Sequence, residues 1–565
     1  MAQPPIHFNV DQLRSRRARG GGRGGRGGNR SVRSCHRETK LHVGVRPCQV
    51  WSVLVTDPRV RAAYSEGAGV YRIVPAAVAI PESTADIVTL VRHAAGSRTA
   101  LIPRGAGSGM PGGNVGSGTI VDLSIGFADL VVDPHSRSAR AGASVTWAEV
   151  NDAAQPYGLR LPPDPSSGAF ATSGGMVATN AAGPRTVRYG SVRKWVEALE
   201  IVEADGSVRI VKRETGNGKR FALTADGRRL IADRFPRTRK NSSGYALDKF
   251  AETGDEVDLL VGSEGTLAIV TAVHWRLDPI PPDVAGAALG FADLGAMTEA
   301  IPHLVSLQPS ALELLDSTLL QFVAEAPRVA CLLLVEFERE TAAAVRGVVG
   351  DAVRGLKHSV TYVETALDRA GLQQLWSIRR LASPALARLP PSQRSLQVIE
   401  DGCVPLDCLG DYVTGLRDAA ERRGIPVAIF GHAGDGHVHV NALPDTTRPG
   451  WGDALHGLFE DVTALLVRLG GVPAGEHGAG RLRAGVLERF YGRDVMALCR
   501  DVKRAYDPLS ILNPGVIIPA ADWSPLAALK VGDGAAAIPE DIATRLREVE
   551  RSAAWGTPKL ELAHP

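Results

Sequence analysis

The sequence predicts a mixed α+β protein built from more than one domain. Three observations carry that prediction. Its 565 residues are too many for one small core, and at roughly 100 to 200 residues per domain they suggest two to four folding units. After the first fifty residues, apolar runs of strand length alternate with amphipathic stretches of helix length. The 62 glycines and 36 prolines show no Gly-X-Y period, so they serve turns and loops and exclude a collagen-like chain.

Taken in order, residues 1–50 form a basic tail. Residues 1–40 hold ten Lys or Arg against Asp11 and Glu38, a net +8, so with +3 in total the remainder carries −5. RSRRARGGGRGGRGGNR has almost nothing to bury, and disorder is the expectation. An RGG-like tract can bind RNA, but the body has no run of aromatics with basic interleaving, so nucleic acid is disfavoured. Ser83 with Asp86, and Thr146 with Glu149, form capping boxes before helices; the inward faces are Ile87, Leu90, Val91 and Ala94 in one, Val150 and Ala153 in the other. LIPRG and TIVDLS read as strands around a glycine-rich loop, and residues 195–204 as a strand before the Asp205-Gly206 turn. Val211–Lys240 is charged and poorly periodic, and reads as a surface insertion.

Pro279, Pro281 and Pro282 mark the main boundary. Beyond them CLLLVEF (331–337) is a buried strand, Pro405 can open and Gly424 close a helix, and IPVAIFGHAGDGHVHVN reads as two strands joined by a glycine turn. Helices are expected before Gly470 and over RDVMALCRDVKRAYDP. The domains are therefore placed at 55–280 and 281–490, with a segment 491–519 and a poorly structured tail at 520–565.

The composition excludes several classes. No window approaches eighteen consecutive apolar residues, which disfavours a membrane span and leaves peripheral contact open. The six cysteines, at 35, 48, 331, 403, 408 and 499, form no CxxC pair. Their spread suggests a reducing compartment and speaks against an iron-sulfur centre on this chain.

Glycine-rich segments carry the first chemical signal. RGAGSGMPGGNVGSG (104–118) contains seven glycines, which let backbone N–H groups approach a pyrophosphate. Gly105-x-Gly107-x-Gly109 is followed by Pro111 rather than by a helix, which disfavours a nicotinamide fold. The segment from Pro162 to Ser191, with Ser173, Gly174, Gly175, Asn180 and Gly183, is small-residue-rich in the same way. KNSSGY (240–245) and GSEGT (262–266) repeat the theme, and together these loops suggest a large, extended cofactor.

The densest cluster is FGHAGDGHVHVN (430–441). On a strand His437 and His439 face one side, and the glycine turn can return His432 toward them. Glu476 and His477 follow in PAGEHGAG. Two imidazoles and a carboxylate form a divalent-metal set acceptable to Zn, Mn or Fe. Arg379, on a helix with Leu372, Leu375 and Trp376, can present a planar fork to a carboxylate.

These segments, in this order, resemble the FAD-linked oxidase family of the vanillyl-alcohol-oxidase type. The resemblance extends to its D-2-hydroxyacid dehydrogenase branch, which includes D-lactate dehydrogenase, the glycolate oxidase flavin subunit and D-2-hydroxyglutarate dehydrogenase. It runs from about Ala63 to Pro519 and implies a two-subdomain FAD-binding domain, an α+β substrate-binding cap and an LNPG segment (512–515) returning to the flavin domain. It places Arg104, Gly105, Ala106, Gly107, Ser108, Gly109, Gly112, Gly113 and Asn114 at the FAD pyrophosphate. A second cofactor stretch takes Pro163, Asp164, Ser173, Gly175, Thr179, Asn180 and Gly183. Glu264, Gly265 and Ile269 fall on the adenine and ribose side, and Asn513 near the isoalloxazine. Residues 104–118 contain no histidine, so the FAD is expected to be noncovalent.

The same resemblance makes His432, His439 and Glu476 the metal ligands, with Zn the leading ion and Mn or Fe alternatives. It makes His477 the base, Arg379 the holder of the substrate carboxylate and Asn441 a polar neighbour of the substrate. His437 stands where many relatives have Asn. The implied activity is oxidation of a D-2-hydroxy acid, of the D-lactate, glycolate or D-2-hydroxyglutarate class, to the 2-oxo acid. Reduced FAD then needs a separate electron acceptor: a quinone, a cytochrome, an electron-transfer flavoprotein or an iron-sulfur protein. A homodimer and a cytoplasmic location, with contact at the inner face of the membrane, are compatible with this. An alkyl-glycerone-phosphate-synthase-like enzyme without net redox is the alternative; a flavin-free metal hydrolase leaves the glycine loops without a role.

Overall fold

Both capping pairs open helices in the computed structural model, which describes residues 54–564 apart from 214–219, 324–325 and 391. The basic tail expected over 1–50 lies outside the described residues. Ser83 and Asp86 exchange bonds at the start of Thr84–Ser97, and Thr146 and Glu149 at the start of Trp147–Ala154; each such cap contributes about 1 kcal/mol. The second helix buries Val150 and Ala154 rather than Ala153, a step of four residues along its core-facing stripe.

The first part of the chain builds two sheets. In the four-stranded sheet, Ala77–Ala79, Thr119–Asp122 and Leu101–Arg104 run parallel, with Leu54–Val55 antiparallel at the edge. The parallel strand Leu101–Arg104 ends directly in the glycine loop. The five-stranded antiparallel sheet has the order Leu130–Asp133, Ser138–Gly142, Ile269–Arg276, Val196–Val202, Val208–Lys212.

The cap is a seven-stranded antiparallel sheet: Val360–Ala366, Asp283–Phe291, Cys331–Arg339, Ala311–Asp316, Val427–Gly431, His437–Ala442 and Gly402–Cys403. Strand alternation sorts its residues cleanly. Leu333, Val335 and Phe337 join Met297, Val345, Leu416 and Leu458 in a core on one face. Leu332 and Leu334 join Leu372, Leu375 and Ile378 of the helix Arg369–Ala387 on the other. Register then carries the chemistry onto that second face. Glu313 pairs with Leu334, Phe430 with Leu315 and His439, and Asn441 with Ala428.

Three segments differ from expectation or complete it. The kinked helix Leu487–Tyr506 leaves the cap and puts Tyr491, Val495, Cys499 and Val502 into the same core as Val177, Leu199 and Trp275, while Leu512 bridges Leu101. The stretch 211–240 is not simply a surface excursion. It carries the helix Ala225–Arg234 with Ile231 buried, Arg213 and Arg220 pair with Asp255, Asp258 and Glu203, and Lys240 lies deep inside. The tail expected over 520–565 is instead ordered into helices Glu540–Ser552 and Lys559–Ala563. Ile542, Leu546 and Val549 follow the i, i+4, i+7 spacing and pack with Leu562 and Ala563 against Val60, Ala63 and Tyr64.

Candidate functional site

The glycine loop closes one side of an elongated cavity. Gly107 needs its glycine twice over: its φ is +78°, and a Cβ there would stand inside the Arg104 guanidinium. Arg104 is buried and donates to the Tyr64 and Glu66 carbonyls, so it shapes the loop from behind. Among the described hydrogen bonds, the backbone N–H groups of Gly105 to Gly109 have no protein acceptor. A row of such donors on a loop leaving a strand fits the diphosphate of a dinucleotide.

Of the residues assigned to the cofactor, Arg104–Gly109, Gly113, Asn114, Gly175, Thr179, Glu264 and Gly265 line this cavity. The others stand behind or beside it. Gly112 packs on the Tyr71 ring, and Ser173 accepts from the Trp275 indole at 3.3 Å. Asn180 accepts from the Arg193 N–H, and Gly183 from Lys240. Asp164 pairs with Arg185, and Pro163 is absent from the lining. Ile269 turns into the core beneath, so alternation brings Val270 to the cavity. Asn513 donates to the Gly113 and Glu264 carbonyls, both at 2.8 Å, and so braces two walls. Glu264, with φ 51°, accepts from the Ala479 and Gly480 N–H groups and ties the glycine-loop side of the cavity to the loop carrying His477. Burial, partly offset by those donors, pushes its carboxyl up to about 7.

At the other end of the cavity lie Arg379, His439, Asn441, Glu476 and His477. The turn His432–Gly436 requires the left-handed glycine at 436 (φ +69°) and folds His432 back toward His439. His432 Nδ1 bonds to Glu313 and His439 Nδ1 to the Glu400 carbonyl, so both Nε2 lone pairs point inward, 3.3 Å apart. Glu476 Oε1 stands 3.1 Å from each. Three electron-pair donors facing one another are the donor set that could hold a divalent ion. An ion with bonds of about 2.0–2.2 Å sets tetrahedral ligands about 3.3–3.6 Å apart, close to this triangle of 3.1, 3.1 and 3.3 Å.

The supporting residues were less visible in the sequence. Lys240, almost fully buried, donates to Glu476 Oε2 at 2.9 Å, leaving Oε1 to the triangle. Burial opposes the Glu476 charge, but Lys240 and then His432 outweigh it and hold the carboxyl well below its usual range. Glu313 bridges His432 and Arg379 Nε, the latter at 2.9 Å; against its burial, His432 and Arg379 bring it down to about 2. Arg379 lies under Phe430, its guanidinium 4.4 Å from the ring centre, and its two terminal nitrogens have no hydrogen-bond partner among the described residues. Asn441 accepts from Ser395 and Gln397, so its amide nitrogen is left for a ligand. An acid flanked by leucines in the strand ALELLD was the available signal for Glu313, and the acidic pair in QVIEDG for Glu400 and Asp401.

His477 is half-buried, stacked on His439 at 5.0 Å, with Nδ1 on Glu400 at 2.7 Å. That bond leaves Nε2 to face the site. Burial disfavours its charge, but Glu400 and Asp401 prevail and push it up to about 10; a divalent ion nearby would lower it again. His437 shares the face but bonds through Nε2 to Asp401 at 2.8 Å. Burial brings it down to about 3, so it is neutral, and its Nδ1 is buried without a partner.

Comparison with known proteins agrees with this division. Residues 75–212 match the FAD binding domain family, and residues 280–517 match the C-terminal domain of FAD linked oxidases. The D-lactate dehydrogenase of Archaeoglobus fulgidus is 31% identical over 453 residues, covering 78% of this chain and 90% of that one. The glycolate oxidase subunit GlcD of Bacillus subtilis is 28% identical, covering 79% and 89%. The D-2-hydroxyglutarate dehydrogenase of Escherichia coli K12 is 28% identical across 81% of this chain, which spans only 50% of that protein's length. A solved alkyldihydroxyacetonephosphate synthase superposes with a TM-score of 0.59 at 17% identity, covering 84% of this chain and 86% of that one, a likeness of fold alone. The chain belongs to the FAD-linked oxidases of the vanillyl-alcohol-oxidase type, in the branch related to D-lactate and D-2-hydroxyglutarate dehydrogenases and glycolate oxidase.

Proposed function

We propose that this enzyme oxidises a D-2-hydroxy acid to the 2-oxo acid, with the cap cluster holding the acid against the flavin cavity. The observation that carries the reading is the inward triangle of His432, His439 and Glu476 beside His477 Nε2 and the free end of Arg379. When bound, FAD supplies the hydride acceptor and the divalent ion a Lewis acid for the hydroxyl oxygen. His432 Nε2, His439 Nε2 and Glu476 Oε1 hold that ion, and Lys240 fixes Glu476. Arg379 grips the substrate carboxylate with its terminal nitrogens, oriented by Glu313, and Asn441 donates beside it. His477 Nε2 takes the hydroxyl proton, and Glu400 at Nδ1 stabilises the imidazolium that results.

The ion we assign is Zn, with Mn and Fe served by the same donors. Electrons leave to a separate carrier: a quinone, cytochrome, electron-transfer flavoprotein or iron-sulfur protein. One relative, at 26% identity, is named a cytochrome-linked mitochondrial D-lactate dehydrogenase of Arabidopsis thaliana. Among the described residues no helix is long and apolar enough to cross a membrane.

Anaerobic mixing with D- and L-2-hydroxy acids tests this directly. D-acids are expected to bleach the flavin band near ~450 nm, and His477→Gln to slow bleaching by about 100-fold or more while keeping metal and FAD. A flavin-loaded protein that no 2-hydroxy acid bleaches would refute the reading, and a His477→Gln rate within about threefold of wild type would remove the base.

A further inference from the structure

The chain continues past residue 517, where the matched family region ends, into the helices Glu540–Ser552 and Lys559–Ala563. These helices pack behind the glycine loop. Ile542, Leu546, Val549, Leu562 and Ala563 share a core with Tyr64 and with Ile102 and Ile120 from the strands Leu101–Arg104 and Thr119–Asp122. Tyr64 is the link to the loop: its carbonyl takes Arg104 at 3.1 Å, its hydroxyl bonds to Asp122, and its ring centre lies 5.5 Å from the Arg104 guanidinium. Arg104 in turn stands against Gly107, whose carbonyl accepts from the Ala68 N–H at 2.9 Å. Three layers therefore follow one another: the loop, then Arg104 with residues 64–68, then the C-terminal helices.

Polar ties fix the same segment at both ends. Glu550 accepts from Arg394 of the cap at 2.6 Å and from Lys530 at 3.0 Å, and Arg59 donates to the Ala563 carbonyl at 2.9 Å. Between them stands Lys559. It is 4% exposed, its Nζ has no hydrogen-bond partner among the described residues, and that nitrogen lies 5.1 Å from the Trp555 ring centre. Its charged neighbours are Arg104, Asp122 and Glu66; Asp122 is bonded to Tyr64 and Ser124, and Glu66 is paired with Arg72. An ammonium group buried without a partner is costly. Burial, and then Arg104, outweigh the two acids and bring the amine down to about 7.

We propose that residues 540–563 are a strap that retains FAD by holding the loop from behind. Docked, the strap fixes Tyr64 and Arg104 and so keeps the Gly105–Gly109 N–H groups on the cavity; undocked, it leaves the loop without a back. The effect is mutual, because whatever docking adds to FAD affinity, FAD adds to docking. Docking also strips a proton from Lys559, which in water keeps it up to about pH 10.4. The strap is therefore held most firmly above that pH, loosens as pH falls towards about 7, and is level below. The inference rests on the reading of this cavity as the flavin site, and not on which acid is oxidised.

Tryptic cleavage at Arg545, Arg547 or Arg551 reads opening of the strap, and equilibrium dialysis reads FAD. Stripping FAD from the full-length holoenzyme is expected to speed that cleavage by about tenfold or more. Leu546→Asp, a charge in the shared core, should raise the FAD dissociation constant by about tenfold or more with metal content unchanged. The pH profile separates a strap from a mere piece of core: relative to Lys559→Met, which has no proton to lose, wild-type cleavage should slow by about tenfold or more between about pH 7 and 9. Lys559→Met and the FAD-dependent cleavage also serve if Leu546→Asp fails to fold. FAD affinity that follows the strap in a protein no 2-hydroxy acid bleaches would support the strap and refute the oxidation reading. Cleavage indifferent to FAD, an unchanged FAD dissociation constant in Leu546→Asp, metal lost there together with FAD, or a pH profile shared with Lys559→Met would each overturn the strap.

Discussion

The loop Gly105–Gly109 offers backbone N–H groups to a ligand, whereas the cluster from His432 to His477 offers side chains whose charge other side chains balance. The loop works by omission, since a Cβ at Gly107 has no room. The cluster works by addition: Glu313 answers His432 and Arg379, Lys240 answers Glu476, and Glu400 answers His477. Sites of the first kind fail by crowding, and sites of the second fail by an uncompensated charge.

That contrast can be broken from either side. The largest effect is expected for His439→Ala, which removes an inward lone pair from the triangle. Turnover should fall about a thousandfold, several kcal/mol of lost Lewis-acid stabilisation, with metal lost and FAD retained by absorbance. Loss of both ligands together would show that loop and cluster form one cooperative unit, and the contrast would fall.

Glu313→Gln sharpens the charge-balance half. It leaves Arg379 and His432 facing a neutral amide in a fully buried place, and should cost about 3 kcal/mol in denaturant unfolding. The carboxyl is depressed to about 2 in the folded state from an ordinary value of about 4.3. Its contribution is therefore present above about pH 4.3 and lost as pH falls through about 2. The stability gap between wild type and Glu313→Gln should close over that window, and a gap that stays constant would mean the lost bond was not ionic.

Gly107→Val probes the omission half. A β-branched residue at φ +78° is strained by about 1–3 kcal/mol, so FAD affinity should fall by roughly 10- to 100-fold in equilibrium dialysis. Metal content should not change. Unaltered FAD affinity would mean that the loop relaxes and that its N–H groups are not the binding element.

Much of this was legible because it is local. Capping boxes, strand alternation and the glycine turn at 432–436 act within a few residues, so Ser83, Thr146, His437 and His439 could be placed from spacing alone. Partners arriving from elsewhere in the chain could not. Glu313 reaches His432 across 119 positions and Lys240 reaches Glu476 across 236, and no periodicity links them. The same limit hid the seat of Arg379: its helix was legible, but not that it lies under Phe430 and is only 6% exposed. The helix Glu540–Ser552 was missed for a different reason: its apolar stripe is only Ile542, Leu546 and Val549 among many charges, and its burial depends on a surface near residue 60.

The return of residues 487–517 to the flavin core bears on the order of synthesis. Trp275 and Leu199 share their core with Tyr491, Val495, Cys499 and Val502, and Leu101 pairs with Leu512. On the ribosome the flavin half emerges first and must wait, its apolar surface uncovered, while the whole cap is translated. Such long-range closure slows folding and favours association of the waiting half with other chains. FAD can therefore meet a finished pocket only after residues 487–517 have been made and have closed on the flavin half, which makes cofactor loading a late step in the life of the nascent protein.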